Sequence, residues 1–226
     1  MSTLETIALP HLPQHPLCVG LYKDVKNAAF LRQQLLAGNA DFEYAFLDAS
    51  VVCRSFSQIW TVLTWQVISR MQFLAASFRG INDFASNRMK SHNVHSEIVF
   101  SFSPNNNVCL YLYTAVYLYA NNLQIAESFR RFGISDTTQH VLAIKVLSSG
   151  ITAETVSQHL QQNIEGDKVD ASDSNFAELA DQARLRKIYK LNVQAKKGAA
   201  NGASSKEAEI KELETSILGV MALKGS

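Results

Sequence analysis

The sequence predicts a mixed α/β fold of the α+β kind: a single small sheet with helices packed on it, one domain over residues 1–226, and a C-terminal helix after a flexible linker. Three observations carry that prediction. Short apolar runs of strand character alternate along the chain with segments of helical spacing. The 47% apolar and 18% charged content is that of a packed chain and not of a disordered one. No internal repeat is visible, which argues against a solenoid.

Leu17 to Tyr22 is an apolar run read as a strand. Val25, Ala28, Ala29, Leu31, Leu35 and Leu36 then recur at helical spacing, with Asp24 expected to cap the helix and Gly38 to end it. Glu43 to Leu47 reads as a second strand broken at Asp48. From Phe56 to about Phe84 the spacing of Ile59, Val62, Leu63, Val67, Met71, Leu74 and Ala75 predicts a helix. His95 to Phe102, with Ile98, Val99 and Phe100 consecutive, reads as a strand buried on both faces. Ser103-Pro104-Asn105-Asn106-Asn107 follows as a turn.

Ile125 to Phe132 is expected as a short helix stopped by Gly133, and Val141 to Leu147 as a strong strand. Thr152 to Gln162 reads as an amphipathic helix, Gly166 to Val169 as an edge strand, and Asn175 to Leu191 as a further helix. Residues 196–205 form a linker of Lys, Gly, Ala, Ser and Asn. Residues 206–224 return to helical spacing through Ile210, Leu213, Ile217, Leu218, Met221 and Leu223, as a docking helix on a tether.

Composition excludes several functions. A formal net charge of +1 gives no global field for polyanions, so nucleic-acid binding needs a local cluster. Cys18, Cys53 and Cys109 are widely spaced and fit neither a zinc site nor a disulfide framework; reduced, intracellular thiols are expected. Pro10, Pro13 and Pro16 break the N-terminal segment, which reads as no secretory signal. The greasy stretch Val108 to Ala120 is shorter than the ~20 residues that a bilayer requires, so no membrane partner is expected.

Glycine-rich phosphate loops, the nucleophile elbow and the HExxH metal helix are all absent from the sequence. No catalytic residue, metal or cofactor is assigned. His92, His95 and Glu97 form one weak acid-base or metal grouping, whose plainer reading is hydrogen-bonding histidines. Arg88, Lys90 and His92, with His95, Arg130 and Arg131, are candidates for RNA phosphate. Arg184 to Lys190 is a second basic segment, equally suited to a helix C-terminus.

Four blocks, in order, resemble one family. They are Leu21-Tyr22-Lys23-Asp24-Val25-Lys26-Asn27-Ala28, Val94-His95-Ser96-Glu97-Ile98 running on to Ser103-Pro104-Asn105-Asn106-Asn107, Phe132-Gly133-Ile134-Ser135, and Arg186-Lys187-Ile188-Tyr189-Lys190-Leu191. Together they resemble the kinase-binding subunit of the KEOPS (EKC) complex, the PRPK-binding protein family. The resemblance implies a non-catalytic subunit that binds the N-lobe of the complex's small atypical kinase, and through it the other subunits. It further implies help in recruiting tRNA by its 3′ end for threonylcarbamoyl-adenosine modification beside the anticodon, a link to telomere maintenance, and residence in nucleus and cytoplasm.

By the same resemblance Ile188, Tyr189, Leu218, Met221 and Leu223 are nominated as kinase-facing, the alternative being that they fill this protein's own core. Arg88, Lys90 and His92 are nominated for RNA. The alternatives of another class are a free-standing RNA-binding module and a small acid-base enzyme built on His92, His95 and Glu97. The chain departs from the family by an insertion over residues 108–124, between the Ser-Pro-Asn-Asn-Asn turn and the next helix. Its ends admit codons of a fungal-style splice donor, branch point and acceptor, so an unspliced intron read in frame is expected. Residues 61–80 also run longer than in relatives.

Overall fold

Leu17 to Tyr22, expected as a strand, is the inner part of a longer one, β2 (Leu12–Lys23). The computed structural model describes residues 4–52, 70–103, 124–148, 150–172, 175–176, 179, 181–189 and 215–222. Within them lies one five-stranded antiparallel sheet. Its centre is β2 beside β4 (Val141–Val146), and β3 (Ala45–Asp48) adds to the far edge of β4. The other edge of β2 is shared: β1 (Glu5–Leu9) pairs along its first part and β5 (Asp167–Val169) along Leu21 to Lys23.

The two-residue period of the strands divides the core into two. Leu17, Val19 and Leu21 of β2, with Leu142 and Ile144 of β4, face one cluster. That cluster is closed by α2 (Arg70–Ala85), α3 (Val94–Ser101), α4 (residues 124–132), α6 (Gln182–Ile188) and a C-terminal helix α7 (residues 215–222). Cys18 and Tyr22, with Val141 and Ala143, face the second cluster, under α1 (Ala28–Leu36) and α5 (Ala153–Asn163). Because both faces are covered, every residue of β4 is buried, and the strand reads as a continuous apolar run apart from Lys145.

Three expectations are corrected. The segment expected as a strand from His95 to Phe102 is a helix, α3. Its Asn93 cap accepts from the Ser96 amide at 2.8 Å, and six of its eight residues are buried, so no polar stripe betrays a helical period. The first helix is not capped by Asp24, which sits in left-handed backbone at φ 52°. Its N-terminal flank is Asn27, whose side chain instead joins Asn163 and Glu165 across the fold. The segment from Asn175 to Leu191 is not one continuous helix, for Asp181 is non-helical and donates its amide to the Ser50 carbonyl at 2.9 Å.

Gly38 ends α1 in left-handed backbone at φ 67°, as expected. The short helix before Gly133, the strand from Val141 and the helix after Thr152 also stand where the sequence placed them. Pro10 and Pro13 flank the turn of a β-hairpin that sequence reading did not anticipate, with His11 at φ 65°. The linker at 196–205, residues 108–123 of the 108–124 insertion, Cys53, Cys109 and residues 53–69 lie outside the described residues.

Candidate functional site

Arg88, Lys90 and His92 share one loop, residues 86–93, between α2 and α3, and all three are exposed. Asn87 ends α2 in left-handed backbone at φ 54°, and the Arg88 amide returns to the Asp83 carbonyl at 2.8 Å. Arg88 lies 3.5 Å from the Asp83 carboxylate while its side chain stays 62% exposed, an ion pair that solvent renders weak.

What shapes the loop is Glu97, in the first turn of α3 and only 1% exposed. Its Oε2 accepts from the Lys90 amide at 3.0 Å, the Ser91 amide at 2.8 Å and the Ser91 hydroxyl at 2.6 Å. Two residues earlier, His95 fastens the same helix to the sheet, its Nε2 accepting from the Val146 amide at 3.1 Å. Burial, with the nearby Lys145 charge second, pushes the His95 imidazole down to about 3. It is therefore neutral near pH 7, with the proton on Nδ1.

These bonds dispose of the acid-base grouping. His95 and Glu97 are buried and engaged with backbone amides, while His92 stands apart from them in solvent on the loop. Among the described residues no three His, Cys, Asp or Glu side chains gather as a metal site.

Arg130, Arg131 and Arg184 of the other basic candidates have acidic partners. Glu127 accepts from both nitrogen positions of the Arg130 fork at 2.7 Å and from Arg131 at 2.5 Å. The Arg130 hydrogen bonds lead, with Arg131 adding to them, in holding its carboxyl at about 2. Arg184 donates to Asp48 at 2.7 Å and to Ser50 at 3.1 Å, bracing α6 against the end of β3.

The nominated kinase-facing residues divide between core and surface. Ile188, Tyr189 and Met221 are buried in the protein's own core, so their side chains place helices and do not present them. Tyr189 donates to the Phe102 carbonyl at 2.7 Å and accepts from Gln72 at 3.0 Å. Met221, with Ile217, anchors α7, whose carbonyl at Met221 accepts from Arg79 at 2.8 Å. Leu218 is half-buried, and Thr215, Gly219 and Ala222 form the outward side of α7. Leu223 lies outside the described residues.

Sequence reading missed two features of this region. One is the loop-holding role of Glu97, for which the only signal was its position three residues into a capped helix. The other is Phe84, 44% exposed at the end of α2, its ring edge-on to His15 at 5.8 Å.

The family model for the kinase binding protein CGI-121 matches residues 22–112 and 114–225. A protein of Aspergillus terreus named EKC/KEOPS complex subunit cgi121 is 46% identical over 231 residues, covering 100% of this chain and 98% of that one. One of the same name from Aspergillus fumigatus is 44% identical over 225 residues, covering 99% and 97%. A Coccidioides immitis protein named EKC/KEOPS complex subunit CGI121 is 39% identical over 238 residues and covers both chains fully. With most of its length matched by the family model and by such relatives, the chain belongs to the CGI-121 family of kinase binding proteins.

Proposed function

We propose that this chain is a non-catalytic subunit of an EKC/KEOPS complex that binds and supports its small atypical kinase and, through it, meets the other subunits. The observation that carries the reading is the kinase-binding family match across nearly the whole chain, α7 included. Physically, α7 suits a docking element: Ile217 and Met221 hold it on the core, leaving Leu218 and the small Gly219 and Ala222 toward a partner. A helix seated this way buries apolar surface on a kinase lobe and favours one lobe arrangement over others.

The same complex membership supports a role in recruiting tRNA by its 3′ end for threonylcarbamoyl-adenosine modification, with a link to telomere maintenance and residence in nucleus and cytoplasm. Arg88, Lys90 and His92 are the residues for RNA, because they are exposed together on one shaped loop. Each phosphate contact would contribute a salt-dependent share of affinity, and the exposed Phe84 at the end of the preceding helix could stack on an unpaired base.

Co-purification with the small KEOPS kinase of the same organism tests the central claim. Wild type should form the complex, Leu218→Arg should lose it while remaining folded, and Met221→Arg should unfold α7 or the whole chain. A folded wild type that captures no kinase overturns the reading and leaves a free-standing RNA-binding module as the next one to try.

A further inference from the structure

We propose that Glu97 is the positioning residue of the 86–93 loop, setting the spacing at which Arg88, Lys90 and His92 meet RNA phosphates. The inference rests on the reading of that loop as the RNA contact. Left to itself, an eight-residue loop carrying Arg88, Lys90 and His92 would lose affinity in two ways: conformational entropy on binding, and mutual repulsion between the Arg88 and Lys90 charges. Glu97 opposes both. One buried oxygen accepts from two successive amides and from the hydroxyl between the Lys90 and His92 side chains. Bonds to a charged acceptor are about twice as strong as neutral ones, and here they are shielded from water.

The carboxylate is itself fixed. It projects from a helix capped by Asn93 and pinned to β4 through His95 and the Val146 amide at 3.1 Å. The rigid sheet is thereby connected to the loop through one short helix. Since the amides of Lys90 and Ser91 are taken by Glu97, phosphate recognition is left to the side chains, and Glu97 acts only through where it holds them.

That claim is tested by a double-mutant cycle on the full chain, binding a tRNA transcript and a single-stranded RNA copying its 3′ end. Glu97→Gln keeps the shape and one acceptor oxygen for the amides but removes the charge that strengthens all three bonds, and should weaken RNA binding about tenfold. In an Arg88→Ala, Lys90→Ala background, which weakens binding by itself, the same change should have almost no further effect, while kinase capture persists throughout. Ser91→Ala removes one of the three bonds and keeps the carboxylate. It should behave likewise with a smaller loss, and it decides between the outcomes if Glu97→Gln is poorly folded. Equal loss in both backgrounds, or no loss in wild type, overturns the positioning role while the RNA reading stands. If Arg88→Ala, Lys90→Ala binds both RNAs as wild type does, the RNA reading falls and the positioning role with it.

Discussion

The Tyr189 hydroxyl lies 2.7 Å from the Phe102 carbonyl oxygen, joining the end of α6 to the end of α3 across 87 residues of sequence. The same hydroxyl oxygen accepts from the Gln72 amide of α2, so three helices meet on one buried hydroxyl. Tyr189→Phe keeps the ring, which packs 5.9 Å from that of Phe132, and removes both bonds. The expected cost is about 1–3 kcal/mol, a fall in melting temperature of roughly 2–4 °C for each kcal/mol. A melt unchanged within a degree would show that the hydroxyl contributes nothing net.

His95 makes stability depend on pH. Its folded value of about 3 lies below the ordinary 6.5, so near pH 5 the unfolded chain binds a proton that the folded chain refuses. The contribution is intact above pH 6.5 and is lost as pH falls from there toward 3, at up to about 1.4 kcal/mol per pH unit. Denaturant midpoints measured from pH 7 to pH 4 should fall, and His95→Gln should flatten that slope by close to one proton. Identical slopes for the two proteins would contradict the assignment.

Strands and amphipathic helices were the legible part of this fold, because the inner part of β2 and all of β4 are apolar runs covered on both faces and α5 shows a single helical period against one core. α3 was not legible. Ile98, Val99 and Phe100 are all buried in a helix covered over most of its surface, and their β-branched or aromatic character points to a strand when only neighbours in sequence are weighed. The site was half legible for a related reason. Arg88, Lys90 and His92 are charged or polar side chains that residue type alone places at the surface, whereas the burial of Ile188, Tyr189 and Met221 depends on packing partners far away in sequence. Helical spacing marks an apolar face without saying whether that face meets the chain itself or another protein.

At Gly80 the backbone of α2 lies directly against Ile98 of α3. A Cβ there would lie 2.9 Å from the Ile98 side chain and 3.0 Å from the Ile98 amide nitrogen. The backbone atom cannot swing aside as a side-chain tip can, so Gly80→Ala must push the helices apart. A loss of about 1–3 kcal/mol is expected from overpacking, against the smaller gain that alanine brings to a helix interior. Thermal unfolding would measure it, and a stabilised Gly80→Ala would mean that the helices slide at little cost. Gly38→Ala is the contrasting case: open space surrounds it, and its φ of 67° alone resists the change, at about 1 kcal/mol.

Arg79 connects the stability of α7 to α2. Its guanidinium donates to the Met221 carbonyl at 2.8 Å, near the C-terminal end of α7, where a cation is favoured by the helix dipole, and its Nε lies 3.9 Å from Asp83. Arg79→Met preserves the aliphatic stem and removes the charge and the donor. Arg79 makes no hydrogen bond to the sheet or α3 among the described residues and meets α3 only through its attraction to the Glu97 charge, so most of the loss should fall on α7: about 1–2 kcal/mol taken from its closed state. Amide exchange over residues 215–222 should accelerate roughly 5- to 30-fold while β4 stays protected. If α7 docks the kinase, capture should weaken in the same variant, because a helix that opens more often must be reordered on binding. Faster exchange with undiminished kinase capture would place the kinase contact elsewhere on the chain.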